Sequence, residues 1–168
     1  MNMHKLITLR GNSGSGKTTV AKELQKLFGR NSMLISQDVF RREILNVVDG
    51  ENPPVLPLLQ EMLQYGNRHC EIVILEGILI ADWYKSLFDF AVELYGSNIF
   101  SYYFDVPFEE TLKRHQTRAK SNEFGEKEMR EWWKEKDYSK VLNEKIITSE
   151  LDKESIVKTI YLTVCKQN

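Results

Sequence analysis

Residues 11–18, Gly11-Asn12-Ser13-Gly14-Ser15-Gly16-Lys17-Thr18, match the pattern G-x-x-x-x-G-K-[ST] at every fixed position. These residue types at this spacing suit the holding of a polyphosphate. Glycines at 11, 14 and 16 let the backbone curl so that successive N–H groups point inward and make a nest for anionic oxygens. The positive end of a following helix adds to that field. Lys17 reaches the β- and γ-phosphates as a point charge, and the Thr18 hydroxyl is placed to ligate Mg²⁺. The nucleotide site is therefore expected to run from Gly11 through Thr19, and the chain to bind a nucleoside triphosphate.

The pattern has this meaning only if a strand runs in and a helix runs out. Leu6-Ile7-Thr8-Leu9 is a short apolar run rich in strand formers. After the loop, Val20, Leu24, Leu27 and Phe28 recur at helical spacing, and Gly29 stands where a helix C-cap is expected. Further along, strands and helices alternate, which implies a parallel sheet covered on both faces. Met33–Ser36 reads as a second strand, followed by a helix with Phe40, Ile44 and Val47 on its apolar face. Pro53, Pro54 and Pro57 break the chain before a helix that carries Val55, Leu58, Leu59, Met62 and Leu63 and ends near Gly66. Ile72–Leu75 is the clearest buried strand, and Trp83, Leu87, Phe90, Ala91 and Leu94 mark a helix closed by Gly96. Ile99–Phe104 is a fourth strand, Pro107 opens a helix, Ile146–Thr148 is a short fifth strand, and Ile156, Ile160 and Val164 belong to a last helix.

In open parallel sheets ligands bind beyond the carboxyl ends of the strands. The residues at those places are the phosphate loop, then Gln37 and Asp38 with Arg41 and Arg42 a turn further, then Glu76-Gly77, then Asp105. Arg114 and Arg118 lie four apart on the helix after strand four and share a face. The polar stretch 119–125 that follows has the character of a lid.

This order resembles the small P-loop kinases of the nucleoside-monophosphate-kinase-like group. Ser36-Gln37-Asp38-Val39-Phe40-Arg41 is most similar to the branch that holds chloramphenicol phosphotransferase, zeta toxins and phage polynucleotide kinase. Leu75–Leu79, Phe124-Gly125 and Trp132-Trp133 resemble bacterial proteins labelled kinase or uridine-kinase-like. The resemblance implies a three-layer α/β sandwich with a five-stranded parallel sheet in the order 2-3-1-4-5. The chain is then one domain over residues 1–168, with a lid at about 115–137 and an acceptor-side segment at about 38–68.

By the same resemblance Asp38 is the base that takes the proton of the acceptor hydroxyl, unless it only caps the next helix. Arg41 contacts the acceptor, while its neighbour Arg42 points elsewhere, since adjacent helical residues diverge by about 100°. Glu76 organises Mg²⁺, holds the acceptor or serves as base in place of Asp38, or is a structural partner such as one for Arg41. Arg118 is the catalytic arginine of the lid, and Arg114 joins the nucleotide site. Trp132 and Trp133 either cover the acceptor or anchor the lid helix. Asp49 to Arg68 offers a pocket wall of Val55, Leu58, Leu59 and Met62, residues that could equally be core. His69 and His115 read as non-catalytic, and Asp105 as a turn residue.

A kinase transferring the γ-phosphate of ATP to a hydroxyl of a nucleoside, sugar or antibiotic is the leading reading, since it gives the phosphate loop, Asp38 and the lid arginines a task. A nucleoside-monophosphate kinase needs more arginines for the acceptor phosphate, and a nucleotide-switched binding protein leaves the lid arginines idle. A formal net charge of −1 offers no pull toward nucleic acid. No apolar stretch is long enough for a bilayer, and Met1–Lys5 leads directly into the first strand, so neither membrane nor signal segment is expected. Cys70 and Cys165 lack metal-ligand spacing, which suits reduced thiols in a cytoplasmic protein.

Overall fold

Strand β1 (Lys5–Gly11) is buried along its whole length, as the centre of a parallel sheet requires. The computed structural model describes residues 4–117 and 123–167. β1 pairs in parallel with β3 (Ile72–Gly77) on one side and β4 (Ile99–Asp105) on the other. β2 (Ser32–Ser36) adds to β3, and β5 (Lys145–Thr148) adds to β4, giving the expected order 2-3-1-4-5 with every pairing parallel.

Helices cover both faces. On one side α1 (Lys17–Phe28) and α7 (Lys153–Lys166) bury Val20, Ala21, Leu24, Ile156, Ile160 and Val164 against Ile7, Leu9, Ile74 and Phe104. On the other, α3 (Leu56–His69) and α4 (Lys85–Tyr95) bury Leu59, Leu63, Leu87, Phe88 and Ala91 against Leu6, Ile35, Val73 and Leu75. Among the described residues no helix is long and apolar enough to cross a membrane.

The structure departs from the sequence reading at several places. Val55 and Leu59 are fully buried core residues packed against β2 and β3, and the cavity described below is lined by none of Val55, Leu58, Leu59 or Met62. α3 does not end at Gly66. The helix passes there so close to β3 that a Cβ on residue 66 would sit 2.5 Å from Val73 Cγ2, so glycine serves packing rather than termination. The helix after β2, α2 (Gln37–Val39), continues only to Ile44, through a widened turn closed by Leu45 N–H donating to Phe40 O at 3.0 Å. Ile44 and Leu27 are more than half exposed rather than core.

Arg10, which the sequence reading passed over, is completely buried next to the phosphate loop. Its Nε donates to Leu79 O at 3.0 Å, Nη1 to Glu144 Oε1 at 2.7 Å, and Nη2 to Asp137 O and Oδ2 at 2.9 Å. The guanidinium also lies over the rings of Phe88 and Tyr103, 5.0 and 5.5 Å from their centroids. Glu144 Oε2 in turn accepts from Ser139 N, and Asp137 Oδ2 from Ala81 N. Burial pushes the Asp137 carboxyl above the usual aspartate range, and the Ala81 N–H and Arg10 oppose that push. Four hydrogen bonds from one side chain thus join the central strand to the 137–144 segment and to the turn after β3.

Removing one member of a buried ion pair leaves the other without compensation, at a cost of about 3–5 kcal/mol. Arg10→Met is expected to lose stability on that scale in urea unfolding, because Glu144 keeps only 3% side-chain exposure. A loss below about 1 kcal/mol, the scale of an exposed pair, would show that the network does not hold the segment.

Candidate active site

The site grows from the carboxyl end of β1. At Gly11 the backbone turns out of the sheet with φ +145°, and a Cβ there would lie 2.7 Å from Phe104 O. At Gly14, φ is +79° and a Cβ would lie 2.8 Å from Thr111 O. Both positions combine a left-handed backbone with carbonyl crowding, so only glycine fits. α1 begins at Lys17, which aims the positive end of that helix into the loop. Lys17 is buried, and its Nζ donates to Asn12 O at 2.7 Å and Ser15 Oγ at 3.2 Å, inside the curl of the loop. Ser13, Gly14, Gly16, Lys17 and Thr18 line one end of a cavity of about 460 Å³. Thr19 is exposed and is not part of that lining.

Asn12 does more than fill a variable loop position. Its Nδ2 donates to Lys134 O at 2.7 Å, and its Oδ1 accepts from Lys134 N at 3.0 Å. The loop is thereby clamped to the segment after α6 (Glu126–Trp132), where Lys134 lines the cavity.

The register of the sheet sets Ser36 beside Glu76. Glu76 is 2% exposed and accepts from Ser36 Oγ at 2.6 Å and from Thr18 Oγ1 at 3.1 Å. These hydroxyls, and not Arg41, are its partners. Among the described residues no cluster of three or more His, Cys, Asp or Glu could cage a metal. A hydroxyl backed by one carboxylate beside a phosphate nest is instead the sparse, all-oxygen donor set that suits Mg²⁺, which keeps much of its water. The residues present fit a magnesium nucleotide.

Across the cavity, Asp38 stands in the first turn of α2 and is not its cap. Arg41 Nη2 lies 3.0 Å and Arg42 Nε 2.8 Å from the same Asp38 Oδ1. The two arginines, expected to diverge, converge on one carboxylate, because they stand three and four positions after Asp38 and both spacings bring side chains together on a helix. Arg41 also donates to Val47 O, and Arg42 lies 3.5 Å from Glu123. All three residues line the cavity.

Helix α5 (Phe108–Gln116) brings Arg114 to the loop, where its Nη1 donates to Ser15 O at 3.2 Å and its Nε to Glu110 at 2.9 Å. Arg118 lies outside the described residues. The two tryptophans divide the roles offered for them. Trp133 packs edge-on against Phe108, while Trp132 packs against Phe124 and lines the cavity. His115 is buried, stacked on Phe124 and bonded through Nε2 to Phe124 O at 2.7 Å. His69 packs beside Tyr65. Asp105 accepts a hydrogen bond from the Tyr138 hydroxyl at 2.7 Å.

One group that the sequence reading named only as the start of the expected pocket segment, with no role of its own, proves part of the site. Asp49, in the loop before α3, lines the cavity and accepts from Tyr84 OH at 2.7 Å, from Gln37 Nε2 at 3.0 Å and from Gly50 N at 3.1 Å. Tyr84 is fully buried, and that burial, with the Asp49 bond, pushes its hydroxyl far above the usual phenol range, so it remains a donor. Gly77 makes room for Gln37, whose Cβ and Oε1 lie 2.8 and 3.3 Å from where a Cβ would stand.

Comparison with known proteins agrees with this architecture. A family model described as an AAA domain matches residues 6–140. No curated protein sequence gives a match. Among solved structures, the tunicamycin resistance protein of Deinococcus radiodurans is similar at TM-score 0.62 and 16% identity, over 96% of this chain and 95% of that one. The Mycobacterium tuberculosis APS kinase in complex with AMPPNP and APS is similar at TM-score 0.61 and 14% identity, over 98% and 99%. Shikimate kinase from Acinetobacter baumannii in complex with shikimate is similar at TM-score 0.61 and 17% identity, over 99% and 96%. The chain has the P-loop kinase fold and, with the family match running from the first strand through the phosphate loop to the segment that closes the cavity, belongs to this AAA-domain family of P-loop proteins.

Proposed function

We propose that the protein is an ATP-dependent phosphotransferase that moves the γ-phosphate of ATP to a hydroxyl of a small molecule such as a nucleoside, sugar or antibiotic. The observation that carries this reading is one cavity lined both by Lys17 and Thr18 of the phosphate loop and by Asp38, Arg41 and Asp49 of the segment after β2. Such a space accommodates a donor phosphate and a second molecule together. The APS and shikimate kinases named above share the fold, and their names are those of small-molecule kinases.

In the proposed reaction the acceptor oxygen forms a bond to the γ-phosphorus as the bond from that phosphorus to the β-bridging oxygen breaks. The transition state is loose, so catalysis rests on positioning and charge stabilisation more than on covalent help. The loop amides and Lys17 hold the β- and γ-oxygens. A bound magnesium would supply positive charge to offset that developing on the phosphate oxygens. Thr18 would be its hydroxyl ligand, and Glu76 orients that hydroxyl from behind. Asp38, fixed by two guanidinium groups, aligns the acceptor hydroxyl and receives its proton. Arg114 holds the Ser15 carbonyl and so keeps α5 against the loop. Arg118, by the resemblance stated earlier, supplies transition-state charge. The unbridged cysteines are consistent with a cytoplasmic setting.

Lys17→Ala is expected to fold normally and to lose about 10²- to 10³-fold in acceptor-dependent ADP release, the usual cost of removing a charge-stabilising donor. Turnover near that of the unmodified protein would remove the phosphate-loop role. The two carboxylates are expected to separate. Asp38→Asn should lose transfer with little change in nucleotide affinity, whereas Glu76→Gln should raise the Mg²⁺ concentration needed for half-maximal rate. A magnesium titration of both variants checks this, and swapped phenotypes would reverse the roles.

A further inference from the structure

Asp49 differs from the other carboxylates of the cavity in what holds it. Asp38 carries two arginines, and Glu76 lies behind Thr18 and Ser36. Asp49 is fixed by uncharged donors: the Tyr84 hydroxyl and the Gly50 N–H on Oδ1, and the Gln37 amide on Oδ2. An ionised carboxylate accepts about four hydrogen bonds. Three are in place, so Oδ2 has capacity for another donor from inside the cavity. Tyr84 and Gln37 are themselves bonded to each other at 2.9 Å and are fully or almost fully buried. The carboxylate is therefore aimed by a rigid support, as a recognition group must be.

The surroundings narrow what it recognises. Besides Lys17 and Glu76 of the nucleotide end, the charged residues among the described lining are Asp38, Asp49 and Glu131 with Arg41, Arg42 and Lys134, three carboxylates against three cations. Among the described residues no surplus positive charge is offered there to a phosphate dianion, and an anion placed near Asp49 would meet a carboxylate. Trp83 and Trp132 add flat apolar surface to the same lining. Resting on the kinase reading above, we infer that Asp49 selects the acceptor, and that the acceptor is a polyhydroxylated alcohol or amino alcohol without a phosphate group. One hydroxyl faces Asp38 for transfer, and a second hydroxyl or an ammonium group donates to Asp49.

The test measures ADP release with ATP and Mg²⁺ in the presence of uridine, glucose or kanamycin, and of UMP or glucose 6-phosphate. The inference expects turnover with at least one unphosphorylated compound and none with the phosphate esters. With the best acceptor, Asp49→Asn should raise the acceptor KM by about 10- to 100-fold, the worth of a hydrogen bond to a charged group, while kcat changes far less. Tyr84→Phe, which touches no ligand and only loosens the support, should give a smaller rise in the same constant. Binding of a fluorescent ATP analogue by each variant reports that the phosphate loop is folded. Preference for a phosphate ester, or an unchanged acceptor KM in Asp49→Asn, overturns the inference and leaves the kinase reading in place. Absence of acceptor-dependent ADP release from the unmodified protein with every compound overturns both.

Discussion

The phosphate loop is wedged between the end of β4 and the body of α5, and the rest of the site depends on that crowding. The missing side chains at Gly11 and Gly14 bring loop backbone to where a single methyl group would collide with the carbonyls of Phe104 and Thr111. The loop is thus supported by backbone that the sheet and a helix already fix. Its N–H groups need no reorganisation to meet an anion, which is the condition for strong electrostatic stabilisation. Arg114 closes the same contact from α5 by holding the Ser15 carbonyl.

A second set of constraints brings the far wall of the cavity to the loop. Arg10 and Asn12 flank Gly11 in sequence, and each reaches the segment that follows α6. Arg10 engages Asp137 and Glu144 from within the core, while Asn12 grips both backbone groups of Lys134. Residues 134–144 are therefore positioned by the same strand that delivers the loop. Cavity shape and loop geometry are mechanically linked, and a change at either flank is felt at both ends of the site. The buried ion pairs are costly to assemble, but once assembled they set where the segment sits.

Much of this was legible in the sequence. The motif G-x-x-x-x-G-K-T, the four-residue apolar run at Ile72–Leu75 and the prolines before α3 each report on local structure, whereas the sheet order was implied by the resemblance to small P-loop kinases. Glu76, Asp38 and Arg41 stand at strand ends, where the topology itself directs attention. What escaped was non-local. Arg10 looks like an ordinary polar residue after an apolar run, because its carboxylate partners lie 127 and 134 positions away. Asp49 looks like a loop aspartate until Tyr84, 35 positions later, turns out to hold it. The convergence of Arg41 and Arg42 was legible but overlooked, since both stand at helical-neighbour spacing from Asp38 and only their angle to each other was considered. Gly66 repeats the non-local lesson, since a glycine near the end of a helical pattern signals a cap, and only the approach of Val73 reveals a packing role.

The central claim is that the cavity places an alcohol against the γ-phosphate, so that phosphate leaves on that alcohol and not as free anion. ATP carrying ¹⁸O in its γ-phosphoryl group tests this directly. The protein is incubated with the labelled nucleotide and a mixed pool of nucleosides, sugars and amino alcohols, and the products are analysed by mass spectrometry. The account predicts a new phosphate monoester that retains three labelled oxygens, its fourth oxygen coming from the acceptor. Label recovered only in inorganic phosphate, with no labelled ester in any compound of the pool, would contradict it.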